Sequence, residues 1–351
     1  MTAWASFFKI QDAFRMDLTD PRQNLILEWL NGPLQLTIEA LEPVSQDASF
    51  RRYFRIVTAD GPRIVMDAPP PNETVAPFIE QAERFRRCGL ITPRIDAADE
   101  AQGLLLLEDF GSIAYLDVLN ETTAEGLYGA ARADLCRLAR APAEQQQGLP
   151  HYDAPLLRRE LSLFSHWCLE THLGLALDED TRALLNQTFE CLVDNALEQP
   201  QILVHRDFHS RNLMKRDGRQ PGLLDFQDAV KGPLTYDLVS LLRDCYIDWD
   251  PERVERWALD QHQQVMGLLS LSVPKKTFLR WFDLMGLQRH LKAVGIFTRL
   301  LHRDQRPGYI KDIPRTLGYG LEVSNRYPEL APFAQFLAQR VVPAFEGSDS
   351  A

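Results

Sequence analysis

His205-Arg206-Asp207-Phe208-His209-Ser210-Arg211-Asn212 decides the reading of this chain, together with Leu223-Leu224-Asp225-Phe226 shortly after it. An apolar run, Ile202-Leu203-Val204, leads into the first segment, and Leu213-Met214 follows Asn212. Two short strands with a tight loop between them are therefore expected. The step of five from Asp207 to Asn212 lets such a loop return both side chains to one cavity. Asp225 then arrives from the end of a neighbouring strand.

These residue types suit phosphoryl transfer. That reaction asks little covalent chemistry of a protein. It needs an acceptor oxygen aligned with a γ-phosphate and cations that offset developing charge. A carboxylate at Asp207 can orient an acceptor hydroxyl and take its proton. Asn212 and Asp225 offer oxygen, the donor that magnesium prefers. His205 is expected to brace the loop backbone. His209 is either a second brace or a substrate contact.

Working outward, residues 1–31 read as a helical lead-in. Asp20-Pro21 is a helix start, and Leu25, Ile26, Trp29 and Leu30 share one helical face. Asn31-Gly32-Pro33 ends it. Leu34–Ile38 alternates apolar and polar residues. Tyr53–Val57 and Arg63–Met66 are short β-rich runs with Asp60-Gly61 between them, a hairpin signal. Three antiparallel strands are expected here, then a helix over residues 75–88 and a buried strand at Leu104–Leu107. After Gly111 helical patterns dominate. The expected fold class is α+β: a small antiparallel-sheet lobe over residues 1–110, binding nucleotide, and a larger helical catalytic and substrate lobe over residues 111–351.

Composition narrows the class. The chain has 351 residues, enough for two such lobes, with 45% hydrophobic and 25% charged residues. A net charge of −11 argues against general nucleic-acid binding. Five cysteines without a C-x-x-C pair read as reduced thiols. The first ten residues lack the basic start and apolar core of an export signal, and no run is long enough to span a bilayer. A cytoplasmic enzyme without a nucleic-acid or membrane partner is expected.

The stretch Val204–Met214, with Leu224–Ala229, Gly232-Pro233 and Tyr236-Asp237-Leu238, resembles the aminoglycoside phosphotransferase/choline kinase-like family. Ser45–Arg55 is similar to one branch of it, the cell-wall amino-sugar kinases. The resemblance spans residues 20–330. It implies a two-lobed protein-kinase-like fold with ATP and Mg2+ as cofactors. It implies Asp207 as base, Asn212 and Asp225 as metal ligands, and Asp237 as a structural acid holding the loop. Leu107-Glu108-Asp109-Phe110 would be the hinge beside adenine, with Glu108 and Phe110 as nucleotide-binding residues. The implied activity is ATP-dependent phosphorylation of the anomeric hydroxyl of N-acetylmuramate or N-acetylglucosamine, in recycling of peptidoglycan. Other small alcohols (choline, an aminoglycoside, homoserine) and a non-catalytic nucleotide-binding scaffold are the alternatives.

The sequence departs from protein kinases in two places. The strand Ile64–Asp67 has no phosphate-binding lysine, and no lysine occurs between Lys9 and Lys215. Arg51, Arg52, Arg55 and Arg63 are the candidates to replace it, and Arg51 and Arg55 are taken as nucleotide ligands. Ser45–Ser49 stands where a glycine-rich loop would be, with Ser49 the leading phosphate contact. In the helical lobe, His209, Arg211 and Arg243 are the expected substrate residues. Trp249, Trp257 and Trp281 are expected in the core.

Overall fold

The computed structural model describes residues 20–38, 40–46, 50–218 and 220–346. The expected lead-in before Asp20 lies outside the described residues, as does Ser49. By compactness the chain forms two units. Of the described residues, one holds those up to Leu119 plus those of Leu213–Gln227; the other holds Asn120–Asn212 and those from Asp228 onward.

The first unit begins with helix α1 (Pro21–Asn31). Asp20 caps it, accepting the Arg22 N–H at 2.9 Å, and Pro21 fills the first turn. A five-stranded antiparallel sheet follows: β1 (Leu41–Gln46), β2 (Arg52–Thr58), β3 (Gly61–Asp67), β4 (Ile95–Asp99) and β5 (Leu104–Glu108), in spatial order β1-β2-β3-β5-β4. The hairpin at Asp60-Gly61 forms as expected. Gly61 takes a φ of +102°, which favours glycine, and pairs across to Thr58. Helix α2 (Ala76–Arg87) separates β3 from β4. Ile26, Trp29 and Leu30 of α1 bury with Leu41, Phe54, Ile56, Val65, Leu104 and Leu106 in one apolar cluster. Alternation along β2 puts Phe54 and Ile56 into that cluster and leaves Tyr53 and Arg55 on the other face.

The alternating Leu34–Ile38 is not a strand. The turn at Gly32-Pro33 folds it back onto α1, where the Leu36 N–H donates to Leu30 O at 2.8 Å. Leu34, Leu36 and Ile38 still meet the cluster, so the apolar pattern reported burial rather than pairing. The first strand is instead Leu41–Gln46. Strand β4 went unread because Ile95-Asp96-Ala97-Ala98-Asp99 has little β-forming character.

The second unit is built around one long helix, Lys275–His302, buried along most of its length. Helices Ala154–Leu163, Glu179–Leu197, Tyr236–Leu242 and Ile313–Arg326 surround it. Its buried residues are mostly apolar, and the buried charges among them, such as Asp283 and Lys292, are paired. A short strand, Gln201–Val204, pairs antiparallel with Val230–Pro233, which the sequence pattern had not marked. Trp249, Trp257 and Trp281 are all buried, as expected. The five cysteines are free thiols. Among the described residues no helix is long and apolar enough to cross a membrane.

Gly295 marks the closest approach in this unit. A methyl group there would stand 2.4 Å from the Leu163 carbonyl carbon and 2.6 Å from Phe164 N. Backbone cannot rotate aside, so overpacking of about 1–3 kcal/mol outweighs the ~1 kcal/mol that alanine gains in a helix. Gly295→Ala should lower the urea midpoint. A raised midpoint would contradict the close approach.

Candidate active site

Strand Gln201–Val204 ends where the loop His205–Asn212 begins, and the loop is held from three sides. The Asp237 carboxylate accepts two backbone N–H groups, from His205 at 2.7 Å and Arg206 at 2.9 Å. Burial pushes that carboxyl up to about 7, against the pull of the two donors. Asp244 accepts both the N–H and the hydroxyl of Ser210, at 2.9 and 2.5 Å. The buried His205 ring accepts the Asp207 N–H at 3.3 Å, a bracing contact.

Arg206 adopts a φ of +78°, a costly conformation for a side chain with a Cβ. Its surroundings hold it there. The guanidinium forms an ion pair with Glu160, and Glu160 also accepts from the Tyr152 hydroxyl. Lys292 Nζ lies 3.0 Å from Glu160 and donates to the Tyr236 hydroxyl at 3.0 Å. Burial alone would keep Glu160 protonated; Lys292 and then Arg206 outweigh it and lower its pKa. Burial likewise disfavours charge on Lys292, but Glu160 and Tyr236 raise it above the usual lysine value.

This charge layer sets the state of Asp207. Burial raises its pKa, but Lys292, His209, Arg289 and Arg206 together bring it below the ordinary aspartate value. Asp207 is therefore a carboxylate at neutral pH. His209 moves the other way: burial dominates and depresses it, so the imidazole is neutral. Its ring meets the edge of Tyr246, with centroids 5.4 Å apart.

Asn212 turns back on the loop. Its Nδ2 donates to the Asp207 carbonyl at 3.0 Å, and its N–H donates to His209 O at 2.9 Å. With Nδ2 anchored, Oδ1 is the end that can meet a ligand. Asp207, His209, Arg211 and Asn212 thus share one loop. Arg243 does not join them: it is buried, paired with Asp283 at 2.7 Å, and packed over Phe282. It lines a cavity of about 600 Å³ with Trp249, Tyr319 and Arg326.

The remaining expected residues stand in the first unit. Asp225 lies just past the short strand Gly222–Leu223, which pairs with Leu213–Met214. Its φ of +62° turns the chain sharply, and Gln227 Nε2 donates to its Oδ1 at 2.7 Å. Phe226 anchors the turn against Phe78 and Phe85. Glu108 closes β5 and accepts from Arg216 at 3.2 Å and from the Arg94 N–H at 3.3 Å. Phe110 lies under the Arg216 guanidinium, and Gly222 leaves room for its ring. Arg51 immediately precedes β2 and is half-buried. Arg52, Arg55 and Arg63 each have a carboxylate partner. Arg55 grips Asp109 through two bonds, at 2.6 and 3.0 Å. Arg52 holds Asp67 and Asp20, and Arg63 holds Asp96.

A model of the phosphotransferase enzyme family matches residues 40–269. The chain belongs to that family. This phosphotransferase is 43% identical to the N-acetylmuramate/N-acetylglucosamine kinase of Pseudomonas putida, over 86% of this chain and 88% of the relative. It is 40% identical to the kinase of the same name from Neisseria meningitidis, over 91% and 96%. Among solved structures, a choline kinase from Streptococcus pneumoniae aligns with a TM-score of 0.61 at 13% identity, covering 86% of this chain and 98% of that one. The GDP complex of aminoglycoside 2′-phosphotransferase-IIIa aligns with a TM-score of 0.58 at 16% identity, covering 88% and 100%. These place the phosphotransferase in the expected protein-kinase-like α+β fold.

Sequence reasoning missed Glu160, Lys292 and Arg289. Each sits mid-helix in an ordinary pattern, and only the long helix brings two of them behind the loop. The sequence of that helix, with charged residues scattered along it, carries no local signal that singles out Arg289 and Lys292.

Asp237 gives a direct test of the clamp in this phosphotransferase. Asp237→Ala removes both loop bonds, each worth roughly 1.5–3 kcal/mol where the acceptor is charged. Unfolding in urea at about pH 8.5, above the Asp237 value near 7, should show a loss of about 3 kcal/mol or more, with turnover reduced in the folded fraction. A loss under about 1 kcal/mol would show that the loop does not depend on this carboxylate.

Proposed function

We propose that this phosphotransferase moves the γ-phosphate of ATP onto the anomeric hydroxyl of N-acetylmuramate, N-acetylglucosamine or both, giving the 1-phosphate. The relatives at 40–44% identity, each aligned over most of its length and each named for these two sugars, carry the proposal. The role we infer is reuse of cell-wall sugars in the cytoplasm.

In this reading the Asp207 carboxylate accepts the proton of the acceptor hydroxyl. The freed oxygen forms a bond to the γ-phosphorus, and the bond from that phosphorus to the β–γ bridging oxygen breaks, releasing ADP. A carboxylate held ionised by its surroundings suits a base. His209, neutral and on the same loop, can donate to or accept from a sugar hydroxyl. Asn212 Oδ1 and the Asp225 carboxylate fit a hard cation, because both offer oxygen and each has its other polar end or a neighbour fixing its orientation. Bound magnesium supplies charge neutralisation on the nucleotide phosphates. We assign nucleotide binding to Ser49, Arg51, Arg55 and the Glu108–Phe110 segment, and acceptor binding to His209 and Arg211; Arg243, buried and paired with Asp283, would join them only by giving up that pair. For Arg55, phosphate binding would compete with Asp109, so its assignment requires that pair to open.

The deciding assay measures ADP formation with N-acetylmuramate, N-acetylglucosamine, choline and an aminoglycoside. Turnover with the two sugars is expected; turnover with choline or the antibiotic alone would overturn the proposal. Asp207→Asn should bind ATP with near-native affinity in calorimetry while kcat falls about 10²- to 10⁴-fold. Unchanged kcat would remove Asp207 from the base role.

A further inference from the structure

Arg211 differs from the other arginines around its loop. Arg206 pairs with Glu160, and Arg243 pairs with Asp283. Arg289 donates to Cys245 Sγ at 3.7 Å. The Arg211 guanidinium makes no hydrogen bond among the described residues. Its nearest carboxylate oxygen, Asp312 Oδ2, is 4.0 Å away, beyond hydrogen-bond reach. Burial, the leading influence on Asp312, raises that carboxyl above its ordinary value and weakens its claim on the guanidinium.

Yet Arg211 is held in place. Its guanidinium carbon stands 3.5 Å from the centre of the Tyr246 ring, and Tyr309 lies 5.9 Å away. Tyr246 packs against His209, and Tyr309 stacks on Phe297. The face of the guanidinium is thus occupied by an aromatic platform, while its edge, with five N–H donors, is uncommitted. The side chain remains 30% exposed. An arginine fixed by its face and free along its edge is arranged to take an oxyanion in its own plane, through two parallel bonds. It does so four residues after Asp207, on the same loop.

We propose that Arg211 reads a carboxylate on the acceptor and so sets the preference between the two sugars. The inference rests on the amino-sugar reading above. The two sugars differ at O3. N-acetylmuramate carries a lactyl ether ending in a carboxylate, and N-acetylglucosamine has a plain hydroxyl there. A guanidinium with an open edge distinguishes them by charge. Tyr246 supplies rigidity, so little side-chain freedom is lost on binding.

The test compares kcat/KM for N-acetylmuramate, its methyl ester and N-acetylglucosamine, in the full-length protein and in Arg211→Gln and Arg211→Lys. The wild-type protein should favour the acid over the ester by about 10- to 100-fold, the worth of a charge-assisted contact. Arg211→Gln should bring that ratio close to one and lower the muramate-to-glucosamine ratio by a similar factor. Arg211→Lys, which keeps the charge but not the fork, should retain part of the preference. Equal losses on all three substrates in Arg211→Gln would make Arg211 structural and overturn the proposal. A wild-type protein that uses acid and ester equally would overturn it without recourse to any variant. Wild-type protein that turns over neither sugar would remove the amino-sugar reading itself, and the proposal with it.

Discussion

Two backbone N–H groups donated to one carboxylate, those of His205 and Arg206 to Asp237, fix the loop on which the rest of the site depends. The constraint is geometric before it is chemical. Arg206 sits at a φ that a residue with a Cβ avoids, and such a conformation persists only where the surroundings over-determine it. Asp237 holds the backbone of Arg206, and Glu160 holds its side chain. The turn at Arg206 then sets the direction in which Asp207 leaves the strand.

Glu160 is the second pivot. It is nine-tenths buried or more, and an isolated carboxylate there would be neutral. Arg206, Lys292 and Tyr152 together keep it charged and bonded. Removing one member of such a cluster is costly because the remaining charge is stranded, even where the cluster as a whole adds little net stability. The long helix carrying Lys292 and Arg289 is therefore both the core of its unit and the source of positive charge behind Asp207. Packing and electrostatics share one element. In the first unit arginines behave differently: Arg22 and Arg52 are both tied to the fully buried Asp67, and Arg55 to Asp109. Arg211 is set apart from both groups by its uncommitted edge.

The sequence made the local features legible. Asp20-Pro21 capped a helix, Asp60-Gly61 turned a hairpin, and His205–Asn212 formed a tight loop between strands, because each is specified within a few residues. Leu34–Ile38 misled because period-two burial is also produced by a segment folded against a helix. Strand β4 was invisible because its pairing with β5, rather than its own residues, makes it a strand. Glu160 and Lys292 are separated by over a hundred residues, so no local pattern joins them. The arginines show the same limit: their number near β2 could be read, but their carboxylate partners at residues 20, 67, 96 and 109 depend on the sheet.

The central claim is that Asp207 is held as a carboxylate by the charge layer behind it, with Lys292 foremost. Carbon-13 NMR of the labelled aspartate carboxyls reads this directly, with the Asp207 signal assigned by its loss in Asp207→Asn. In the native protein that signal should stay at its ionised position from about pH 8 down to about pH 4.5, since its pKa lies below the ordinary value near 3.8. In Lys292→Met the midpoint should move upward into that window. A native signal that titrates within the window, or a midpoint that Lys292→Met leaves unmoved, would contradict the account.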